Sequence, residues 1–325
     1  MSALLETSPK PARTSGRKKA GPEGASVGGS ALQRNRRKLF VPFVGPALVF
    51  YTVLFVVPII ASIWISFHQW PGAGPMEWKG LDNYLRLMTD TVFLTSFGNT
   101  LLLLFVVGAA IFVLAFGATL FLRDMQGKTF ARSVIFFPHL VNALVFGVLA
   151  GFVFNPKGLV NSLLLALGVD SPPEWLARDN LFPLIMVTMT WITTGYFTTI
   201  LMSGVDRIPK HFFEDAALAG ANAWQRLRHV IIPLTWDVFA VCAVLWTISA
   251  VKIFEIIWIF GGGATVGSPP VETWTTAVYT YVTAFSGESI PAFGMATASA
   301  VLSLLLVVVL VVLLRRVTRR DAIEF

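Results

Sequence analysis

Residues Thr100–Leu122 read TLLLLFVVGAAIFVLAFGATLFL and include no charged residue from end to end. A helix of about twenty apolar residues is long enough to cross the hydrocarbon core of a bilayer. Backbone N–H and C=O groups in lipid must bond to one another, and a helix satisfies them within a single segment. The stretch therefore predicts a transmembrane helix.

Five further apolar stretches, each long enough to span and most of them free of charge, lie on both sides of it: Phe40–Phe67, Ser133–Phe154, Leu181–Ser203, Val238–Phe260 and Phe293–Leu314. Hydrophobic residues make up 55% of the 325-residue chain and charged residues only 13%, and the mean hydropathy is +0.71. A soluble domain carries about 25% charged residues, so a soluble globular fold is excluded. The sequence predicts an all-α integral membrane protein with six transmembrane helices.

Lysine and arginine are unevenly distributed around these stretches. Nine precede residue 39, three lie in 123–132, four lie in 204–236 and four follow residue 314, whereas the alternate connections hold four in total. Because basic residues concentrate in cytoplasmic loops, both termini and the 204–236 connection are predicted to be cytoplasmic. Basic residues do not alternate with aromatic ones outside the tails, so no nucleic-acid partner is expected.

Composition divides the chain into three parts. Residues 1–38 are rich in Gly, Ser, Pro and basic residues, a composition that cannot bury a core, and they are predicted to form a disordered basic cytoplasmic tail. Residues 39–316 form the predicted transmembrane domain, and 317–325 form a short cytoplasmic tail. Cys242 is the only cysteine, so no disulfide forms within the chain.

The cytoplasmic connection 205–236 has the pattern of two short helices. Pro209 suits the first turn of a helix, and Gly220 is the residue type that ends a helix in a left-handed conformation. Asn222 and Gln225 have the spacing of a capping box that opens a second helix. Pro233 is predicted to close that second helix before the fifth stretch.

Two interpretations of this connection remain open. In one, it protrudes into the cytoplasm as a docking bracket, where Ala216 and Ala217 allow close approach and Glu214 offers a carboxylate to a basic partner. In the other, it is an amphipathic hairpin that lies on the membrane surface.

The segment around Glu214 resembles the EAA loop of bacterial ABC importer permeases. Glu214, Ala216, Gly220 and Pro233 match that pattern in register. The departures from it are Asp215 at an alanine position, Ala219 where many relatives have Asp, Val230 for Ile and Ile232 for Leu. The resemblance implies that Glu214, Ala216, Ala217, Gly220 and Pro233 belong to a coupling loop that sits in a cleft of an ATPase subunit.

Other segments are similar to the carbohydrate branch of that family, the group of the maltose and glycerol-3-phosphate permeases. They are WKGLDNY at 78–84, FGNT at 97–100, FNPKGLVN at 154–161, and KIFE at 252–255 running into GGG at 261–263. The resemblance covers roughly residues 40–316. It implies a second homologous permease subunit, separate ATPase subunits and an extracytoplasmic solute-binding protein as partners.

Catalytic chemistry is not indicated within the chain. Gly127-Lys128-Thr129 lacks the glycine that a phosphate-binding loop needs five positions earlier, because Leu122 stands there. The histidines, His68, His139, His211 and His229, have no paired spacing suited to a metal, and His139 is interpreted as making an interfacial hydrogen bond. We expect no enzymatic activity, no cofactor and no metal site in this chain.

Lys252 and Glu255 are the exceptional charges, because both fall within the fifth apolar stretch. Their spacing of three would place them on one face of a continuous helix, where they can pair. Charge inside a bilayer is costly and usually faces a cavity or a partner group. Two roles stay open for this pair, holding helices together or lining a polar path for substrate.

Together with the predicted spans, the resemblance implies a permease subunit of an ATP-binding-cassette importer in the bacterial cytoplasmic membrane, which moves a mono- or oligosaccharide across the lipid bilayer by alternating access. The alternatives are a permease for a polyol or a sugar phosphate, an ion-coupled secondary transporter, and a membrane anchor that transports nothing.

Overall fold

The computed structural model describes residues 42–123, 125–262, 267–286 and 291–318. The predicted N-terminal tail, 1–38, lies outside the described residues, and so does most of the predicted C-terminal tail. The chain divides into two compact units, Met1–Ile59 and Ile60–Phe325. Apart from the helix that begins at Pro42, all described helices and strands lie in the second unit.

Long apolar helices account for most of the predicted stretches. Four helices in the described residues are long and apolar enough to cross a membrane: α1 Pro42–Ile65, α3 Thr91–Arg123, α7 Arg178–Val205 and α13 Phe293–Thr318. Helix α3 begins nine residues before the predicted Thr100, because Asp90 caps it by accepting hydrogen bonds from the N–H groups of Val92 at 2.8 Å and Phe93 at 3.2 Å. The all-α membrane fold is therefore confirmed at the level of these helices.

The third predicted stretch is a bent pair and not one straight helix. Helices α4 Lys128–Leu140 and α5 Ala143–Val153 meet at 91°. Pro138 stands in the last turn of α4. Asn142 then opens α5 by accepting a hydrogen bond from Leu144 N–H at 2.8 Å. An N-cap residue in the middle of an apolar run starts a new helix in a new direction.

The fifth predicted stretch is interrupted as well. Helix α10, Trp236–Val251, covers its first part and ends before the short helix α11, Glu255–Phe260. Ahead of the stretch, helix α9, Ala223–Leu234, meets α10 at 79°. Residues 252–254 therefore form a break within the stretch that was predicted to be one helix.

Short elements connect these helices. On the side predicted to be external, β1 His68–Gln69 and β2 Glu77–Trp78 form an antiparallel hairpin, which is followed by α2 Asp82–Leu87 and, later, by α6 Leu159–Ala166. A 3-10 turn, Val271–Thr273, precedes α12 Thr276–Tyr281. On the opposite side, α8 Lys210–Leu218 joins α7 to α9.

The core lies between α3, α7 and α10. A π-helical turn at Leu103–Val107 widens α3, and the indole N–H of Trp246 on α10 donates to the Leu104 carbonyl in this turn at 2.9 Å. A side chain on Gly108 would collide with the same indole. The buried tryptophan thus fills a space that the widened turn and the glycine open together.

Candidate coupling loop and membrane cavity

Helix α8 ends in a defined left-handed turn. Gly220 has φ +72, and its N–H donates to the Ala217 carbonyl at 3.0 Å, while Ala221 N–H donates to the Ala216 carbonyl at 2.9 Å. This pair of hydrogen bonds is a Schellman motif, in which glycine carries the positive φ at least cost. The predicted left-handed end at Gly220 is confirmed.

Helix α9 opens with the predicted capping box. Asn222 Oδ1 accepts from Gln225 N–H at 2.9 Å, and Gln225 Oε1 accepts from Asn222 N–H at 2.8 Å. Arg226 Nε also donates to the Ala221 carbonyl at 3.0 Å, which ties the second helix back to the turn. Pro233 lies in the last turn of α9, and the helix ends one residue later. The connection 205–236, which contains helices α8 and α9 and their turn, is called the bracket below.

The base of the bracket packs onto α3. Five buried apolar side chains form its own small core and rest against Phe116 and Leu120 of α3: Val205, Ile208, Phe213, Leu227 and Ile231. The Arg123 guanidinium at the end of α3 lies 3.3 Å from the centre of the Phe213 ring, a cation–π contact. The bracket is therefore attached to α3 by packing as well as by charge.

Ion pairs join the bracket to α4. Asp206, just after α7, accepts from Arg132 at 2.9 Å and from Lys128 at 3.3 Å. Partial burial alone would raise the pKa of Asp206, but the hydrogen bonds from Arg132 and Lys128 outweigh it and hold the pKa below its ordinary value. The contribution of this cluster to stability is present at neutral pH and is lost as pH falls through that lowered pKa.

The tip of the bracket presents a mixed surface to solvent. Glu214, Asp215 and Ala217 are exposed. The bracket also exposes two large apolar side chains, Leu218 of α8 at 88% and Trp224 of α9 at 65%. A carboxylate, small residues and an exposed tryptophan together suit contact with a protein partner, since tryptophan is enriched at the centres of such interfaces.

A cavity of about 490 Å³ lies between the break that separates α4 from α5 and the break at residues 252–254. Its wall includes the break between α4 and α5, the middle of α7 and residues 252–254. The polar and charged members of its lining are His139, Thr193, Ser249, Lys252 and Glu255. Non-helical backbone at membrane depth is tolerated where it lines such a cavity.

The structure corrects the predicted relation between Lys252 and Glu255. Lys252 is the C-cap of α10, and Glu255 is the first residue of α11. The break separates them, so the prediction that they share one face of a continuous helix is wrong. The salt bridges of the described residues lie elsewhere, and both side chains line the cavity.

His139 is a cavity residue that sequence reasoning missed. Its ring stacks on Tyr196 of α7 with centroids 4.4 Å apart, and it lines the cavity together with Thr193 and Ser249. The signal that points to His139 is local. Pro138 precedes it and the capping residue Asn142 follows it, and together they mark a helix break inside an apolar run.

Helix α4 connects the two regions. Its first half carries Lys128 and Arg132, which pair with the bracket, and its last turn carries His139, which lines the cavity. Midway along, a side chain on Gly195 of α7 would collide with the backbone carbonyl of Ile135. The backbones of α4 and α7 are therefore in direct contact between the bracket and the cavity.

Comparisons with known proteins agree on one family. The family model for binding-protein-dependent transport system inner membrane components matches residues 114–320. The trehalose/maltose transport system permease protein MalF of Thermococcus litoralis is 28% identical over 281 residues, which cover 85% of this chain and 92% of that protein. The alpha-glucoside transport system permease protein AglF of Rhizobium meliloti is 30% identical over 275 residues, 81% of this chain and 77% of that protein.

A solved structure has the same fold. A chain of the bacterial alginate ABC transporter, in complex with an alginate pentasaccharide-bound periplasmic protein, matches with a TM-score of 0.74 at 19% identity, covering 90% of this chain and 98% of that one. The family match spans more than half of the sequence and contains the bracket and both sides of the cavity. The chain therefore belongs to the binding-protein-dependent transport system inner membrane components, the permease subunits of ABC importers.

Proposed function

We propose that this chain is the membrane-spanning subunit of an ATP-driven importer that carries a mono- or oligosaccharide across the bacterial cytoplasmic membrane. The observation that carries the proposal is the cavity at two helix breaks, whose largely apolar lining includes five polar or charged side chains and which is joined through α4 and α7 to an exposed bracket. The names of the relatives support the substrate class, since MalF is named for trehalose and maltose and AglF for alpha-glucosides.

The cavity suits a sugar by size and chemistry. Its volume of about 490 Å³ falls within the range of about 300–1,000 Å³ that small-molecule sites occupy. His139, Thr193 and Ser249 supply groups that hydrogen-bond hydroxyls, and Phe146 and Phe254 supply apolar ring surface. The described lining holds one lysine and one carboxylate, which favours an uncharged sugar over a sugar phosphate, because a phosphate calls for surplus positive charge. Lys252 and Glu255 are proposed to line the substrate path.

The bracket is proposed to receive the ATPase subunit. Its exposed tip carries Glu214, Ala217 and Leu218, while Ala216, Gly220 and Pro233 define its shape. Movement of the bracket reaches α3 through Phe213 and α4 through Asp206. ATP-driven closure of the partner subunits then reorients the helices around the cavity, provided that substrate binds more tightly in one state than in the other.

The remaining partners follow from the same proposal. ATP is hydrolysed in separate subunits, and a second homologous permease subunit completes the membrane domain. A solute-binding protein delivers the sugar from the external side, as the periplasmic protein in the alginate transporter complex supports.

Six spans with both termini in the cytoplasm are part of the proposal. The four long helices supply four spans, the bent pair of α4 and α5 supplies the third, and α10 with α11 supplies the fifth. Fusions of a compartment-sensitive reporter after Gly127 and Gly220 are expected to report the cytoplasm, and fusions after Gly74 and Ser171 the exterior. If the fusion after Gly220 reported the exterior, the bracket could not contact the ATPase, and the proposal would be contradicted.

Uptake by cells tests the function itself. A strain that lacks this gene is expected to lose uptake of one sugar from a radiolabelled panel of trehalose, maltose, lactose, sorbitol and glycerol 3-phosphate, and to regain it with the wild-type gene. Deleting the ATPase gene is the control and is expected to abolish the same uptake. Uptake that persists without the ATPase and follows an ion gradient would identify a secondary transporter. If the wild-type gene restored uptake of sorbitol or glycerol 3-phosphate alone, the assignment of a sugar substrate would be overturned.

A further inference from the structure

The helix break that carries Lys252 is held by one threonine hydroxyl. Thr275 Oγ1 donates to the Ile253 carbonyl at 2.7 Å across 22 positions of sequence. Thr275 is fully buried, and Ile253 is only 8% exposed. Ile253 lies after the end of α10 and before the start of α11, so its carbonyl belongs to neither helical ladder. A buried carbonyl in this position depends on a side-chain donor.

Thr275 is itself fixed from α3. The side-chain amide of Asn99 donates to the carbonyls of Glu272 at 2.7 Å and Trp274 at 2.9 Å. Thr276 N–H donates to Thr100 Oγ1 at 3.0 Å. These contacts hold the backbone on both sides of Thr275 against a long helix.

The same segment is also fastened at two other points. Thr275 is the N-cap of α12, and its side chain accepts from Val278 N–H at 3.5 Å. The Glu272 carboxylate pairs with Arg178 at the start of α7. Contacts with α3, α7 and α12 therefore fix the position of Thr275. Its hydrogen bond to the Ile253 carbonyl then fixes the backbone at the break.

We propose that Thr275 is a positioning residue for substrate recognition. It does not line the cavity. By fixing the Ile253 carbonyl, it sets the course of the backbone through residues 252–254 and so aims Lys252 and Glu255 into the cavity between α4, α7 and α11. The inference rests on the proposed function, and it links Asn99-Thr100 through Thr275 to Lys252–Glu255, which lie far apart from them in the sequence.

Exchange of Thr275 for valine tests the proposal, because valine keeps the shape of threonine and removes only the hydroxyl. The measurement is the concentration dependence of uptake by cells that contain the complete importer, with the panel sugar that the wild type imports at the lowest KM. Thr275→Val is expected to raise KM by about tenfold, equivalent to about 1.4 kcal/mol of binding free energy. Thr275→Ser restores the donor and is expected to return KM close to wild type.

A matched control separates positioning from general stability. Thr119 is equally buried, but its hydroxyl donates to the Ala115 carbonyl of its own helix at 2.7 Å, so Thr119→Val is expected to leave KM unchanged. A merely structural role of Thr275 would lower the amount of importer without changing its KM, so KM is measured on the assembled fraction. If Thr275→Val does not assemble, Thr275→Ala replaces it, with the same expected rise in KM.

Failure of the proposed function and failure of the positioning role give different results. Absence of sugar uptake by the wild type overturns the proposed function. Wild-type uptake together with an unchanged KM in Thr275→Val, or in Thr275→Ala where it replaces the valine variant, overturns the positioning role alone.

Discussion

Gly220→Val is expected to remove most sugar uptake while the chain still inserts into the membrane. Gly220 has φ +72, and a side chain there would meet nothing within 4 Å. The penalty is therefore conformational and not steric. The left-handed conformation costs an ordinary L-residue about 1–2 kcal/mol, and a β-branched residue is a poorer fit still. Valine is expected to rebuild the turn and displace the tip of the bracket.

Three measurements check this result: the amount of chain in the membrane, co-purification of the ATPase subunit, and uptake. We expect the first to stay near wild type and the other two to fall. Gly220→Asn is the matched control, because asparagine tolerates the left-handed conformation, and it is expected to keep most of the activity. Glu214→Ala is the companion variant, since truncating one partner of a buried charge pair at an interface costs roughly 2–5 kcal/mol. Wild-type uptake in both Gly220→Val and Glu214→Ala would show that the bracket is an ordinary surface hairpin.

Lys252→Met is expected to give the second large effect, a rise of at least about tenfold in the KM for sugar, with the importer assembled. Lys252 lines the cavity, and a charge-assisted hydrogen bond to a substrate hydroxyl contributes about 1.5–3 kcal/mol. Glu255→Gln is expected to act in the same direction through loss of a charged acceptor. The measurement is uptake kinetics normalised to the amount of importer in the membrane.

Lys79→Met is the matched control for loss of a lysine charge, because Lys79 pairs with Glu77 at 3.2 Å on the surface, away from the cavity. It is expected to leave KM unchanged. A low protein level with normal KM in Lys252→Met would assign the lysine to helix–helix support instead. Normal level and normal transport in both Lys252→Met and Glu255→Gln would defeat both roles.

Structural features that depend only on residues close together in the sequence are predictable from the sequence. The long helices follow from runs of apolar residues, since lipid leaves the backbone no other partner. The end of α8 at Gly220 and the start of α9 at Asn222 follow from local hydrogen bonds within a turn. The two turn signals act over four to six positions and each apolar run lies within one segment, so no knowledge of the rest of the fold is needed to interpret them.

The cavity could not be predicted in the same way. Apolar composition indicates that a segment lies in lipid but not that its helix is continuous, so residues 238–260 are predicted to form one helix, although the helix breaks at 252–254. The groups that stabilise that break lie elsewhere, with Thr275 on a different element and Asn99 on α3. Only at the break between α4 and α5 is there a local signal, the capping residue Asn142 after Pro138.

The two hydrogen-bonded motifs at the turn of the bracket have a thermodynamic consequence. The Schellman motif at Gly220 and the capping box at Asn222 order the backbone of the turn within the chain itself, before any partner arrives. Association on this surface therefore loses little backbone entropy on the side of the permease, and pre-organisation of this kind is a general source of affinity. Docking at the bracket is expected to resemble the meeting of two rigid bodies, whose heat-capacity change reflects the apolar area covered at Leu218 and Trp224 and not the folding of a loop.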